Sequence, residues 1–253
     1  MRKREVAIRL KNINKSYNIE KYSDRSIKSI IKKTFNRKYK PKTLQALKNI
    51  NLTIYKGETF GIIGRNGSGK STLLNIMIGS IPPDKGGIIK TNGSIIRLSL
   101  GMGIDPNLTA RDNIYVNGTV LGLSFKKIGT IFHEIIRFAE LKDFVDIPVK
   151  LYSKGMKQRL MFSIAIHVNA DIILLDEFFG GTGDQVFRKK SNRIFKEKLL
   201  REKTIIFVSH SIPRVESNCK RSIWLHKGKI KSRGQTSKVI KEYSEFNETT
   251  PKR

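Results

Sequence analysis

The sequence has no long apolar run and no signal that would take the chain out of the cytosol. Its longest apolar stretches, 172–175 and the interrupted stretch 160–168, are much shorter than the roughly 20 residues that a membrane-spanning helix needs. The start of the chain, MRKREVAIRL, lacks the apolar segment of a secretory signal. We therefore expect a chain that stays in the cytosol and does not cross a bilayer by itself.

Cysteine and acidic residues are also scarce. The single cysteine, Cys219, cannot form an intramolecular disulfide or a cysteine-based metal site, and we expect a buried thiol without a chemical role. Only 21 Asp and Glu stand against 50 Lys and Arg, which gives a formal net charge of +29. This charge favours polyanions such as nucleic acid, anionic lipid or nucleotide phosphates, but a solvated Lys-rich surface explains it equally well.

Hydropathy patterns predict a single α/β domain over residues 1–253. Three stretches near the start alternate apolar and polar residues, which predicts a small antiparallel sheet that leads into a core strand. These stretches are 6–17, 46–54 and 58–63. Further along, the short apolar runs 172–175 and 204–208 are separated by a basic helical stretch, 185–201. This order is typical of neighbouring strands in a buried parallel sheet.

Two insertions are expected in this domain. Between about 107 and 170, apolar residues recur at helical spacing, with Ser124 as the N-cap of one helix, which predicts a mainly helical insertion. Between about 21 and 42, apolar residues share one helical face opposite Lys and Arg, which predicts a basic amphipathic helix. That helix would pack on its own domain, or else contact the anionic inner leaflet or a transmembrane partner.

A phosphate-binding loop is predicted at residues 64–71, GRNGSGKS, which match G-x-x-x-x-G-K-[ST] between an apolar strand and a helix that starts at Lys70. Glycines let backbone N–H groups converge on phosphate oxygens, and the helix N-terminus adds partial positive charge. Lys70 would reach the β and γ phosphates of ATP, and Ser71 would offer its hydroxyl to Mg²⁺. The predicted nucleotide-binding residues of the loop are Gly64, Arg65, Asn66, Gly67, Ser68, Gly69, Lys70, Ser71 and Thr72.

Polar side chains follow two of the predicted core strands. Asp176 and Glu177 end the run IILLDE, at the edge where a parallel sheet presents groups to a ligand. Asp176 would hold Mg²⁺, and Glu177 would orient or partly deprotonate the water that attacks the γ phosphate. His210 follows the run 204–208 and would donate a hydrogen bond to the γ phosphate from the same edge.

The segment 152–160, YSKGMKQRL, resembles the signature loop of ABC ATPases and the helix that follows it. Ser153 and Gly155 match the usual Leu-Ser-Gly-Gly-Gln. The variant Tyr-Ser-x-Gly-Met, followed by Arg-Leu-x-Phe-Ser at 159–163, is similar to the ATPases of lipid-linked polysaccharide, O-antigen and teichoic-acid exporters. The resemblance covers nearly the whole chain and extends to 108–114, Gly183, Asp184, Phe187, Trp224, Leu225 and Gly228.

This resemblance implies a P-loop NTPase core with an N-terminal antiparallel β subdomain and an inserted helical subdomain. It implies that ATP and Mg²⁺ lie between the phosphate loop of one copy and Ser153 and Gly155 of a second copy in a two-fold homodimer. Tyr17 is similar to the family's aromatic residue that stacks on adenine, and an ordinary strand-end tyrosine is the less favoured alternative. A polytopic transmembrane permease would hold the dimer at the cytoplasmic face of the membrane.

Two positions depart from the family pattern. The Gln that usually enters the helical insertion is replaced by Leu100, and the polysaccharide subgroup also tends to lack this Gln. Asp184, which would contact the second copy and its nucleotide, follows the glycine-rich segment 180–183 instead of a compact Ser-Ala-Leu.

Three functions are consistent with these residues. The first is an Mg-ATPase that powers export of a lipid-linked polysaccharide. The alternative is a non-transport ABC ATPase that acts on nucleic acid or ribosomes, which the positive charge would suit. A nucleotide-dependent scaffold without turnover is disfavoured by Glu177 and His210.

Overall fold

The computed structural model describes residues 4–19, 43–99, 103–167, 169–176, 185–201, 203–209 and 211–249. All elements below are numbered over these residues. The predicted amphipathic helix in 21–42 lies outside them, and so do Leu100, Glu177, Asp184 and His210.

The described part of the chain contains nine strands. They are β1 Val6–Asn18, β2 Thr43–Tyr55, β3 Thr59–Ile63, β4 Ile88–Thr91, β5 Ile95–Ser99, β6 Ile172–Asp176, β7 Thr204–Val208, β8 Arg221–His226 and β9 Lys229–Gln235. The α-helices are α1 Lys70–Met77, α2 Ala110–Val120, α3 Phe125–Ala139, α4 Lys154–Ala165, α5 Gln185–Ile194, α6 Ile212–Asn218 and α7 Thr236–Thr249. A π-helical turn, Phe195–Leu200, continues α5.

Strands β2, β1 and β4 form an antiparallel sheet in that order. The tetrapeptide KNIN occurs in both β1 and β2, and the pairing of these strands is irregular there. Asn12 and Asn49 adopt left-handed backbone conformations, with φ of 52° and 50°. The Asn12 N–H donates to Asn51 Oδ1 at 2.9 Å, and the Asn49 N–H donates to Asn14 Oδ1 at 2.8 Å. Asparagine tolerates this backbone region, and its side chains satisfy the N–H groups that the irregular pairing releases.

The second sheet has the strand order β5-β6-β7-β3-β8-β9. Neighbouring strands from β5 to β8 are parallel, and β9 pairs antiparallel with β8. Strands β3, β6 and β7 are almost completely buried, as continuous apolar strands covered on both faces should be. Their carboxyl ends lie at one edge of the sheet, which is where such sheets bind ligands.

The two faces of this sheet belong to different cores. Ile172 and Leu174 pack with the antiparallel sheet and α1, whereas Ile173 and Leu175 pack beneath the helices. The helical layer follows the sequence pattern: Ser124 caps α3, and six apolar residues that recur at helical spacing in this helix are buried. They are Ile128, Ile131, Phe132, Ile135, Ile136 and Ala139.

The predicted fold class is therefore confirmed, with an antiparallel β subdomain, a parallel core and a helical subdomain. The helices α2, α3 and α4 lie within the predicted insertion of about 107–170, and the single-domain boundaries stay a prediction. No helix among the described residues is long and apolar enough to span a membrane. Cys219 is buried, and burial raises the pKa of its thiol to about 12.

Candidate nucleotide-binding site

The phosphate loop joins β3 to α1 at the carboxyl edge of the parallel sheet. Gly67 and Gly69 have positive φ angles of 73° and 105°, a region that favours glycine. Gly69 is the N-cap of α1, and the helix begins at Lys70 as expected. The first N–H groups of a helix have no acceptor within it, so α1 presents donors and the positive end of its dipole to this loop. This arrangement fits a phosphate group.

Strand β2 and the β8–β9 turn support the loop from behind. The Gly228 N–H donates to the Ser68 carbonyl oxygen at 2.9 Å, and the Lys48 N–H donates to the Gly228 carbonyl oxygen at 2.8 Å. A Cβ atom placed on Gly69 or on Gly228 would lie 2.6 Å from the Ala46 carbonyl oxygen. The loop therefore depends on glycine at these two positions for close contact between backbones.

Gly67 lies on the open side of the loop. A Cβ atom at Gly67 would meet no described atom within 4 Å. Its glycine is favoured by the backbone conformation rather than by a close contact.

Lys70 lies beneath the loop with a side chain that is nearly fully buried. Its Nζ donates to the carbonyl oxygens of Gly64 at 2.6 Å and Arg65 at 3.1 Å. Charge-assisted hydrogen bonds of this kind fix the ammonium group close to the loop. The loop thus combines a helix N-terminus with a buried positive charge, which fits the β and γ phosphates of ATP.

The predicted Mg²⁺ ligands are hard oxygen donors, as this ion prefers. Ser71 is exposed in the first turn of α1, and Asp176 ends β6 at the same edge of the sheet. Asp176 has a contact that the sequence did not predict: its Oδ2 accepts a hydrogen bond from Nη2 of Arg97 in β5. Nη1 of Arg97 donates to Asn75 Oδ1 in α1 at 2.9 Å. The only sequence signal for Arg97 is a charged residue within the otherwise apolar run IIRL.

Tyr17 lies near the end of β1, where it is half-buried and pairs with Leu44 of β2. Lys15 Nζ lies 5.7 Å from the centroid of the Tyr17 ring and donates to the Pro82 carbonyl oxygen. Ala46, whose carbonyl oxygen borders Gly69, is two positions from Leu44 along β2. Tyr17 is therefore at the end of β1 that is closer to the loop, and its stacking on adenine stays a prediction.

The signature segment forms the beginning of α4. Ser153 is the N-cap, and its Oγ accepts a hydrogen bond from the Met156 N–H at 3.2 Å. Ser153 is exposed, and a Cβ atom on Gly155 would have Ser153 Oγ, at 3.9 Å, as its nearest neighbour. Within the described ranges, no hydrogen bond or ion pair connects Ser153 or Gly155 to the phosphate loop of the same chain.

Glu177, Asp184 and His210 lie outside the described residues, so their roles stay predictions. Glu177 follows directly after β6, and one residue, Ser209, separates β7 from His210.

Comparison with known proteins identifies the family. A profile described as ABC transporter matches residues 47–180. The chain belongs to this family. Among its ABC relatives, the teichoic acids export ATP-binding protein TagH of Staphylococcus epidermidis is 39% identical over 98% of this chain and 92% of the relative. TagH of Enterococcus faecalis is 43% identical over 96% of this chain, which spans only 53% of that relative. TagH of Listeria innocua is 37% identical over 96% of this chain and 71% of the relative.

Solved ABC structures share the fold. One is an ATP-binding cassette solved as a dimer in a post-hydrolysis state with ADP and Pi. It is 25% identical, has a TM-score of 0.67, and aligns with 90% of this chain and 98% of the cassette. A second is an ATP-binding subunit of an ABC transporter. It is 20% identical, has a TM-score of 0.71, and aligns with 94% of this chain and 93% of the subunit. This second likeness supports the fold alone.

Proposed function

We propose that the chain is the ATP-hydrolysing subunit of an ABC exporter that moves a lipid-linked polysaccharide of capsule, O-antigen or teichoic-acid type across the cytoplasmic membrane. The observation that carries the ATPase part is the phosphate loop, which presents the N-terminus of α1 and the buried Lys70 at the carboxyl edge of the sheet. The names of relatives that are 37–43% identical support export of such a polymer.

In this mechanism the loop N–H groups and Lys70 bind and orient the triphosphate. Ser71 and Asp176 would hold Mg²⁺, which would supply charge neutralisation for the transferred phosphoryl group. Glu177 accepts a hydrogen bond from the attacking water and draws its proton away from the γ phosphorus, while His210 donates a hydrogen bond to the γ phosphate. Tyr17 positions the base.

The site is completed by a second copy of the chain. Ser153, Gly155 and the N-terminus of α4 would face the γ phosphate held by the other copy, and Asp184 would contact the dimer interface. The dimeric cassette with ADP and Pi supports this arrangement. A polytopic permease would bind the dimer at the cytoplasmic face of the membrane, as the resemblance to export ATPases implies.

The decisive experiment replaces the chromosomal gene of the native host with a Lys70→Ala variant. We expect the lipid-linked polymer to accumulate inside the cell and to disappear from the surface, while the purified variant loses ATP hydrolysis. Surface polymer at the parental level would contradict export, and parental ATP hydrolysis would contradict the site.

A matched measurement tests the nucleic-acid alternative. An ABC ATPase that acts on RNA should bind it tightly at physiological salt, whereas attraction by surface charge alone falls steeply with salt. We expect RNA affinity to fall away in a salt titration. Affinity that persists at physiological salt would favour the alternative.

A further inference from the structure

Arg97 lies on the face of the parallel sheet that carries the phosphate-loop helix. Its neighbour Leu98 packs beneath the helices on the opposite face, while Ile95, two residues away, packs with the core of α1. Alternation along β5 therefore directs Arg97 to the α1 side. Charged residues are common on edge strands such as β5, but the Arg97 side chain is only 24% exposed.

The guanidinium group connects the two halves of the predicted Mg²⁺ site. Arg97 pairs in register with Leu174, two residues before Asp176, so its long side chain follows the strand to reach the carboxylate. One nitrogen donates to Asp176 Oδ2 and another to Asn75 in α1, the helix that carries Lys70 and Ser71. The side chains of Arg97 and Asp176 are only 24% and 20% exposed, so water screens this pair less than a surface pair.

The contact has a direct consequence for metal binding. Asp176 has two carboxylate oxygens, and Arg97 uses one of them. An arginine keeps its charge at all physiological pH values, so a divalent cation at Asp176 meets a permanent positive charge on the same carboxylate. The two cations repel each other. The hydrogen bond from Arg97 to Asn75 holds the guanidinium group in place, and the guanidinium group in turn fixes the direction of the Asp176 carboxylate relative to α1.

We propose that Arg97 is a positioning residue that orients Asp176 and weakens the binding of Mg²⁺, thereby setting the Mg²⁺ concentration at which this chain binds Mg·ATP. The proposal rests on the proposed function, because it takes Asp176 as an Mg²⁺ ligand.

The test measures binding of a fluorescent ATP analogue as Mg²⁺ is titrated, with no hydrolysis involved. In Arg97→Met, which removes the charge but retains much of the length, the Mg²⁺ concentration for half-maximal binding should fall about tenfold, equivalent to about 1.4 kcal/mol. Arg97→Lys retains the charge and should remain within about threefold of wild type, which is about 0.65 kcal/mol. Arg97→Gln provides a second neutral variant, with a polar side chain, should the methionine variant fold poorly.

Arg221 offers a matched control in the same sheet. It forms a comparable partly buried pair with Glu58, at the amino ends of the parallel strands and away from the phosphate loop. Arg221→Met should leave the Mg²⁺ dependence unchanged. An unchanged or higher Mg²⁺ requirement in both neutral Arg97 variants, or an equal shift in Arg221→Met, would overturn the proposal. If the wild-type chain binds no nucleotide, or binds it independently of Lys70, the proposed function itself fails, which is a distinct result.

Discussion

Replacing Gly228 with alanine tests whether the phosphate loop is supported from behind. Gly228 has a φ of 79°, its N–H bonds to Ser68 of the loop, and an added Cβ would lie 2.6 Å from the Ala46 carbonyl oxygen. Gly67 provides the control: its φ of 73° is nearly the same, and an added Cβ meets no described atom within 4 Å. The two substitutions thus differ mainly in the close contact.

The expected magnitudes follow from this difference. A left-handed backbone costs alanine about 1–2 kcal/mol relative to the usual conformation, and the reduced freedom of the unfolded chain offsets about 0.4–1 kcal/mol of it. Gly67→Ala should therefore lower the free energy of unfolding by about 1 kcal/mol. Gly228→Ala adds an overlap that β2 or the β8–β9 turn must move to relieve, and such overpacking costs about 1–3 kcal/mol. We expect Gly228→Ala to lose about 3 kcal/mol in total.

Urea denaturation of both variants without nucleotide measures the difference, provided that the transition is two-state and the m-values agree. Gly228 supports the phosphate loop through its hydrogen bond to Ser68. If the substitution weakens this support, the affinity of Gly228→Ala for nucleotide should also fall, although Gly228 is outside the loop. Equal stabilities for the two variants, within about 0.5 kcal/mol, would refute the role of the close contact between Gly228 and Ala46.

Three further predictions concern catalysis. Lys70→Ala should lose ATP binding, measured at equilibrium, because the γ phosphate loses its charge-matched donor; near-wild-type affinity would exclude the predicted site. Glu177→Gln should retain ATP affinity but slow hydrolysis by about 10²-fold or more, and ATP should trap a dimer visible by size-exclusion chromatography. A variant that stays monomeric and hydrolyses normally would show that Glu177 is not the base. Neither Gly155→Asp nor Lys70→Ala should hydrolyse ATP alone, but a mixture of the two should regain part of the ATPase activity, provided that subunits exchange and one site can act alone. No recovery despite demonstrated mixed dimers would contradict a site formed by two copies.

Local signals in the sequence were enough to predict much of the fold. The start of α1 at Lys70, the cap of α3 at Ser124 and the beginning of α4 after Ser153 each depend on a few consecutive residues. The apolar runs of β6 and β7 also show directly that these strands are buried on both faces. Such features are set by short-range geometry, which a sequence pattern reports directly.

Contacts between distant segments could not be predicted in this way. The bridge from Arg97 to Asp176 and Asn75 needs the order of β5 and β6 and the position of α1 above them. The contact between Gly228 and Ala46 likewise joins segments more than 180 positions apart in sequence. The repeated KNIN is visible in the sequence, but its meaning depends on the pairing of β1 with β2.

Gly155→Asp tests the predicted role of Ser153 and Gly155 at the site of the other copy, because the beginning of α4 should tolerate this substitution. Gly155 is in the first turn of α4, where an acidic side chain stabilises a helix by about 0.3–1 kcal/mol and replacement of glycine by aspartate adds about 0.3 kcal/mol. An added Cβ has no neighbour closer than 3.9 Å, so the variant should fold at least as stably as the parent chain. The Ser153 Oγ accepts one bond from Met156, and its O–H can still donate to a phosphate. If Gly155→Asp is stable and binds ATP but hydrolyses none, the repulsion must act on a phosphate held by the other copy. Parental hydrolysis by this variant in the assembled transporter would instead remove Ser153 and Gly155 from the site.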